Sequence, residues 1–83
     1  MARVLIVDDE PAIRLLLDNV LAGMGHTPLV VQDAETALAL LHEQAVDLVV
    51  TDKNLPNMSG IELLAQIRSR WPALPVVLIT GYA

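Results

Sequence analysis

Asp8, Asp9 and Asp52 are the residues whose types and placing suit chemistry. Asp8 and Asp9 lie in "VLIVDDE", Val4 to Glu10, where four apolar residues run straight into three acids. Asp52 lies in "LVVTDKN", Leu48 to Asn54, which repeats that pattern. Short apolar, β-branched runs read as buried strands, so the acids sit at strand ends. Clustered carboxylates repel and raise one another's pKa, a cost that a hard divalent cation removes. Oxygen ligands without His or Cys beside them favour Mg2+ over zinc or copper. Mg2+ takes one or two carboxylates and often completes its shell with a phosphoryl oxygen. The chemistry suited to such a site is phosphoryl transfer, in which one carboxylate is the nucleophile and forms an acyl phosphate. Thr80, at the end of a fourth apolar run, would place a hydroxyl beside the transferred group. The structural alternative is that Asp8, Asp9 and Glu10 only cap and charge the helix that follows, with Asp52 a turn residue before Pro56.

The elements that must position these acids alternate strand and helix. Arg3 to Val7 is the first strand. Pro11 suits a first helical turn, and Ile13, Leu16, Leu17, Val20, Leu21 and Met24 follow at helical spacing. Gly23 and Gly25 mark that helix's end. Thr27 to Val31 is the second strand. Asp33 is the expected N-cap of a second helix carrying Ala34, Ala37, Leu38, Leu41 and Ala45. Leu48 to Thr51 is the third strand, and "LPNMSG" is a turn. A third helix places Ile61, Leu64, Ala65 and Arg68 on one stripe, with Ile67 on its core side, and ends at Trp71 and Pro72. Pro75 to Thr80 is the fourth strand. This βαβαβαβ order predicts an α/β fold, a parallel sheet flanked by helices. In such sheets ligands bind beyond the carboxyl ends of the strands, where strand order reverses. An order of 2-1-3-4 would bring Asp8, Asp9 and Asp52 into one crevice, with Thr80 beside them.

Composition narrows the function classes. The chain has 83 residues, enough for one small domain. It is 54% hydrophobic but only 2% aromatic, so its core must be built from Leu, Val, Ile and Ala. A net charge of −5 without a basic run argues against nucleic-acid backbones and anionic membrane surfaces. The sequence has no cysteine, which excludes disulfides and thiolate metal sites. Its N-terminal apolar run is too short for a signal peptide or a membrane span. A cytoplasmic protein is expected. His26 and His42 lack a second ligand at metal spacing and read as ordinary surface residues.

"VDDE", "DLVVTDKNLPNMSG" and "PVVLITGYA", in that order and at matching spacing, resemble the receiver domain of two-component response regulators across essentially the whole chain. The resemblance implies a flavodoxin-like fold, in which Asp52 is the phosphoacceptor, taking a phosphoryl group from a sensor histidine kinase. It implies that Asp9 binds Mg2+ directly, that Asp8 helps to position the metal, and that the Asn54 backbone carbonyl completes the metal site. Thr80 matches the switch hydroxyl, Gly81 and Ala83 the small residues after it, and Pro56 and Gly60 the loop that shapes the pocket. Such a module is a phosphoacceptor with at most weak autophosphorylation and autodephosphorylation, not a turnover enzyme. The family pattern continues through a further helix, strand and helix, with a lysine and an aromatic switch residue. The expectation is therefore that residues 1–83 form a single unit, the N-terminal part of a receiver. Its fourth strand becomes an edge, and self-association through that edge or the bare helix face is expected. Two other readings compete with this one. One is a truncated, non-signalling receiver fragment that dimerises. The other is a haloacid-dehalogenase-like phosphatase, which wants an Asp where Asn54 stands.

Overall fold

Seven elements alternate along residues 1–80, the part of the chain that the computed structural model describes. They are β1 Arg3–Val7, α1 Pro11–Gly23, β2 Thr27–Val31, α2 Ala34–Glu43, β3 Leu48–Asp52, α3 Gly60–Arg70 and β4 Val76–Ile79. All four strands are parallel and ordered β2-β1-β3-β4, the order expected from the sequence. The strands form where β-branched residues fill both faces of the sheet.

Register sets the level of each strand end. Val7 lies opposite Val31 on one side and Thr51 on the other. One step further on, Asp8 is therefore level with Asp52, which itself lies opposite Ile79. Thr80 follows Ile79. The strand-order reversal between β1 and β3 thus gathers the acids at the carboxyl end of the sheet.

The core lies on one face. Leu5, Val7 and Val49 pack there with Ala34, Ala37 and Leu41 of α2 and Leu63 and Ile67 of α3. Local signals hold these helices in place. The Asp33 carboxylate accepts a hydrogen bond from the Thr36 N–H at 2.7 Å and caps α2. Ser59 and Glu62 form a capping box at the start of α3. Val4 and Ile6 point to the other face, where α1 packs against β2 and β1. Pro11 opens α1, and Gly25, at φ 88°, turns the chain after it. Yet α1 buries no residue completely, and Leu16 and Val20 are 56% and 48% exposed.

Several expectations are corrected. The buried stripe of α3 is Gly60, Leu63 and Ile67, whereas Ile61, Ala65 and Arg68 are exposed. The apolar residues of this helix spread around its axis, so spacing alone did not single out the core side. Ala45 falls outside α2, because the chain turns extended at Gln44 (φ −137°, ψ 145°). β3 reaches one residue further, to Asp52, and β4 is shorter at each end than Pro75 to Thr80. Gly81 and Ala83 lie outside the described residues.

Candidate functional site

Asp8 and Asp52 are buried, 2% and 8% exposed, while Asp9 faces solvent. One carboxylate oxygen from each of the three lies within 4.8 Å of the others. The sequence-expected trio is therefore brought together. Thr80 shares the wall of a cavity of about 270 Å³ with Asp8 and Asp52, and Glu10, Ile13 and Ile79 line it as well. Two larger grooves, of about 340 and 550 Å³, flank Trp71 at the far end of the sheet. Among the described residues they bring together no comparable group of metal ligands.

Asp8 and Asp52 are held by the turns that carry them. The Asp8 N–H donates to the Val31 carbonyl at 3.2 Å, extending the β1–β2 pairing by a step. Its Oδ1 accepts from the Glu10 N–H at 2.8 Å. On β3, the Lys53 N–H donates to the Ile79 carbonyl at 2.9 Å, so the sheet continues past Asp52. The Asn54 N–H donates to Asp52 Oδ1 at 3.0 Å. The loop then doubles back. Asn57 takes a left-handed conformation, φ 65°, which asparagine tolerates. The Gly60 N–H returns to the Lys53 carbonyl at 2.9 Å. A Cβ on Gly60 would collide with the Asp52 carbonyl oxygen and come within 2.9 Å of Lys53 Cα. Only glycine allows α3 to start this close to the end of β3.

The electrostatics suit a cation. Burial is the main cause that raises the Asp8 carboxyl above its usual range, and the Asp52 and Asp9 charges add to it. The Glu10 N–H and the Arg14 guanidinium oppose the shift without cancelling it. A buried carboxyl crowded by two like charges, in a donor set made only of oxygens, fits a hard divalent ion such as Mg2+. The capping alternative fits less well. Glu10 occupies the N-cap of α1 without a side-chain cap bond, and the first turn of α1 holds no acid.

The neighbours of the site include residues that the sequence reading did not place there. Arg14 donates its Nη1 to the Asp8 backbone carbonyl at 2.8 Å. A backbone acceptor leaves no mark on the sequence. Far from the site, His42 lies edge-on to Trp71 with ring centroids 5.0 Å apart. His42 Nε2 and Arg70 Nη1 are 2.7 Å apart. His26 Nδ1 accepts from the Ala2 N–H at 3.1 Å.

Comparison with known proteins agrees with this geometry. A family model described as the response regulator receiver domain matches residues 4–83. The chain is 46% identical over 81 residues to the response regulator protein FleR of Pseudomonas aeruginosa, covering 98% of this chain and 17% of FleR. It is 40% identical over 84 residues to the chemotaxis protein CheY of the same species, covering 98% of this chain and 68% of CheY. The crystal structure of the response regulator TrrA from Thermotoga maritima in complex with Mg2+–BeF superposes with a TM-score of 0.95 at 36% identity, over 100% of this chain and 72% of that one. In a second structure TrrA is in complex with the histidine kinase ThkA, with a TM-score of 0.94 at 36% identity over the same shares of the two chains. The chain spans about a sixth of the length of FleR.

Proposed function

Because this chain belongs to the response regulator receiver domain family, we propose that it is a phosphoacceptor module in which Asp52 takes a phosphoryl group from a sensor histidine kinase. The observation that carries this reading is the meeting of Asp8, Asp9 and Asp52 at the ends of β1 and β3. The kinase as partner is supported by the TrrA–ThkA complex, and Mg2+ by the Mg2+–BeF complex of TrrA.

In the proposed transfer the N–P bond of a kinase phosphohistidine breaks as an Asp52 carboxylate oxygen forms the new O–P bond. Asp52 Oδ1 is engaged by the Asn54 N–H, so Oδ2 is assigned as the attacking atom. Asp9, Asp52 and the Asn54 backbone carbonyl would hold the ion, with Asp8 positioning it. When bound, Mg2+ would offset the negative charge of the carboxylates and of the incoming phosphoryl oxygens. Thr80 is the switch residue, its hydroxyl donating to the transferred group. The module undergoes a single transfer and is not a turnover enzyme. The reading carries with it a cytoplasmic location and a partner set of proteins, without nucleic acid or membrane binding by this segment.

Self-association of the 83-residue chain is also proposed. β4 borders the sheet on one side only among the described residues, and Val77 on it is 46% exposed. Leu16 and Val20 leave an apolar surface on α1 as well. A second copy would cover one or the other.

Transfer is tested by mixing the protein with an autophosphorylated, radiolabelled histidine kinase and Mg2+. Label is expected to move to the wild-type chain and not to Asp52→Asn. Equal labelling of both proteins would refute Asp52 as acceptor.

A further inference from the structure

We propose that Arg14 is a positioning residue for the Mg2+ site, fixing the peptide between Asp8 and Asp9 so that the Asp9 carboxylate is held toward Asp52. The inference rests on the metal site described above. Arg14 lies in the first turns of α1, where its own N–H donates to the Glu10 carbonyl at 3.1 Å. Its side chain turns back toward β1, and Nη1 donates to the Asp8 carbonyl at 2.8 Å. That carbonyl belongs to the planar peptide joining Asp8 to Asp9, so the bond sets the direction in which Asp9 leaves the turn. Asp8 is fixed separately, through the Glu10 N–H on its carboxylate and its own N–H on Val31. Asp9 is the exposed member of the trio. The position of its carboxylate is only as definite as the backbone beneath it.

Arg14 acts on the site in two ways of opposite sign. As a tether it preorganises a ligand, and loss of such outer partners weakens metal binding. As a cation it opposes Mg2+, so its loss would tighten binding. The side chain is half-buried, so part of its charge is screened by water. The charge-assisted hydrogen bond is direct. The tether therefore dominates.

The test is calorimetric titration of Mg2+ into the wild type, Arg14→Met, which keeps the apolar stem without donor or charge, and Arg14→Lys, which restores a donor. Arg14→Met is expected to raise the Mg2+ Kd about tenfold, and Arg14→Lys by less than about threefold. The phosphorylation rate at saturating Mg2+ should stay within about twofold of wild type in both, because Asp8, Asp9 and Asp52 are all retained and saturation refills the site; a larger loss would overturn a role confined to holding the ion. Should Arg14→Met fail to fold, Arg14→Gln, whose side chain is too short for the reach, carries the same expectation. An unchanged or lower Kd in the Met or Gln protein would overturn the tether. A wild type that binds no Mg2+ would overturn the metal site and this inference together.

Discussion

Asp8 is where the demands of folding and of metal binding conflict. It is 2% exposed, and burial, with the Asp52 and Asp9 charges, holds its carboxyl above the ordinary value of 3.8. The folded protein thus binds this proton more tightly than the unfolded chain does. Asp8 favours folding below the ordinary value, and the contribution is lost as pH rises through the raised folded value. At neutral pH without metal its charge is a cost. Asp8→Asn keeps an oxygen for the Glu10 N–H and is expected to raise the metal-free stability by about 1 kcal/mol at pH 7. That gain should shrink as pH falls toward the carboxylate range, while Mg2+ affinity drops sharply. Urea denaturation at several pH values, with Mg2+ titrations alongside, checks both halves. Of the residues at the site, Asp8, Asp9, Asp52 and Thr80 were legible in the sequence because acids and a hydroxyl at the ends of apolar strands are conspicuous. Arg14 was not, because its partner is a backbone carbonyl. The closeness of Gly60 to the Asp52 carbonyl was not legible either, because it depends on how the loop folds back.

At the scale of elements, caps decide where helices begin and therefore where the loops around the site are anchored. Hydrogen bonding from the Thr36 side chain, and then from its backbone N–H, holds the Asp33 carboxyl below its ordinary value of 3.8. The cap therefore stabilises the fold above that value and is lost as pH falls through the lowered folded value. Asp33→Ala is expected to cost about 1 kcal/mol at neutral pH. The difference from wild type should vanish in acid below the folded value, as measured by urea midpoints. The elements that the sequence described best were the strands and α2, where apolar runs and Asp33 left one solution. α3 was misjudged because Ile61, Leu63, Leu64 and Ile67 occupy more than one side of the helix, and only contact with Val49 and Leu41 selects Leu63 and Ile67. α1 shows the reverse problem. Its helical spacing was right, yet Leu16 and Val20 remain 56% and 48% exposed, since spacing marks an apolar stripe and not what lies across from it.

For the whole molecule, the two faces of the sheet are unequal. One is closed by α2 and α3 over a continuous core. The other carries α1 over β2 and β1, leaving Val77 on β4 46% exposed. Surfaces of this kind are usually covered by another part of a protein or by a second copy. In sedimentation velocity at micromolar concentration the 83-residue chain is expected to include dimers, and Val77→Lys to reduce them if the contact runs through β4. A purely monomeric wild type would refute the self-association. The most direct test of the phosphoacceptor reading is the intact mass of the chain after incubation with Mg2+ and acetyl phosphate, beside Asp52→Ala. The expected result is a gain of one phosphoryl group in the wild type, dependent on Mg2+ and missing from the variant. No gain in a folded, Mg2+-binding wild type, or the same gain in Asp52→Ala, would contradict the claim that Asp52 and its neighbouring carboxylates form a working phosphoacceptor site.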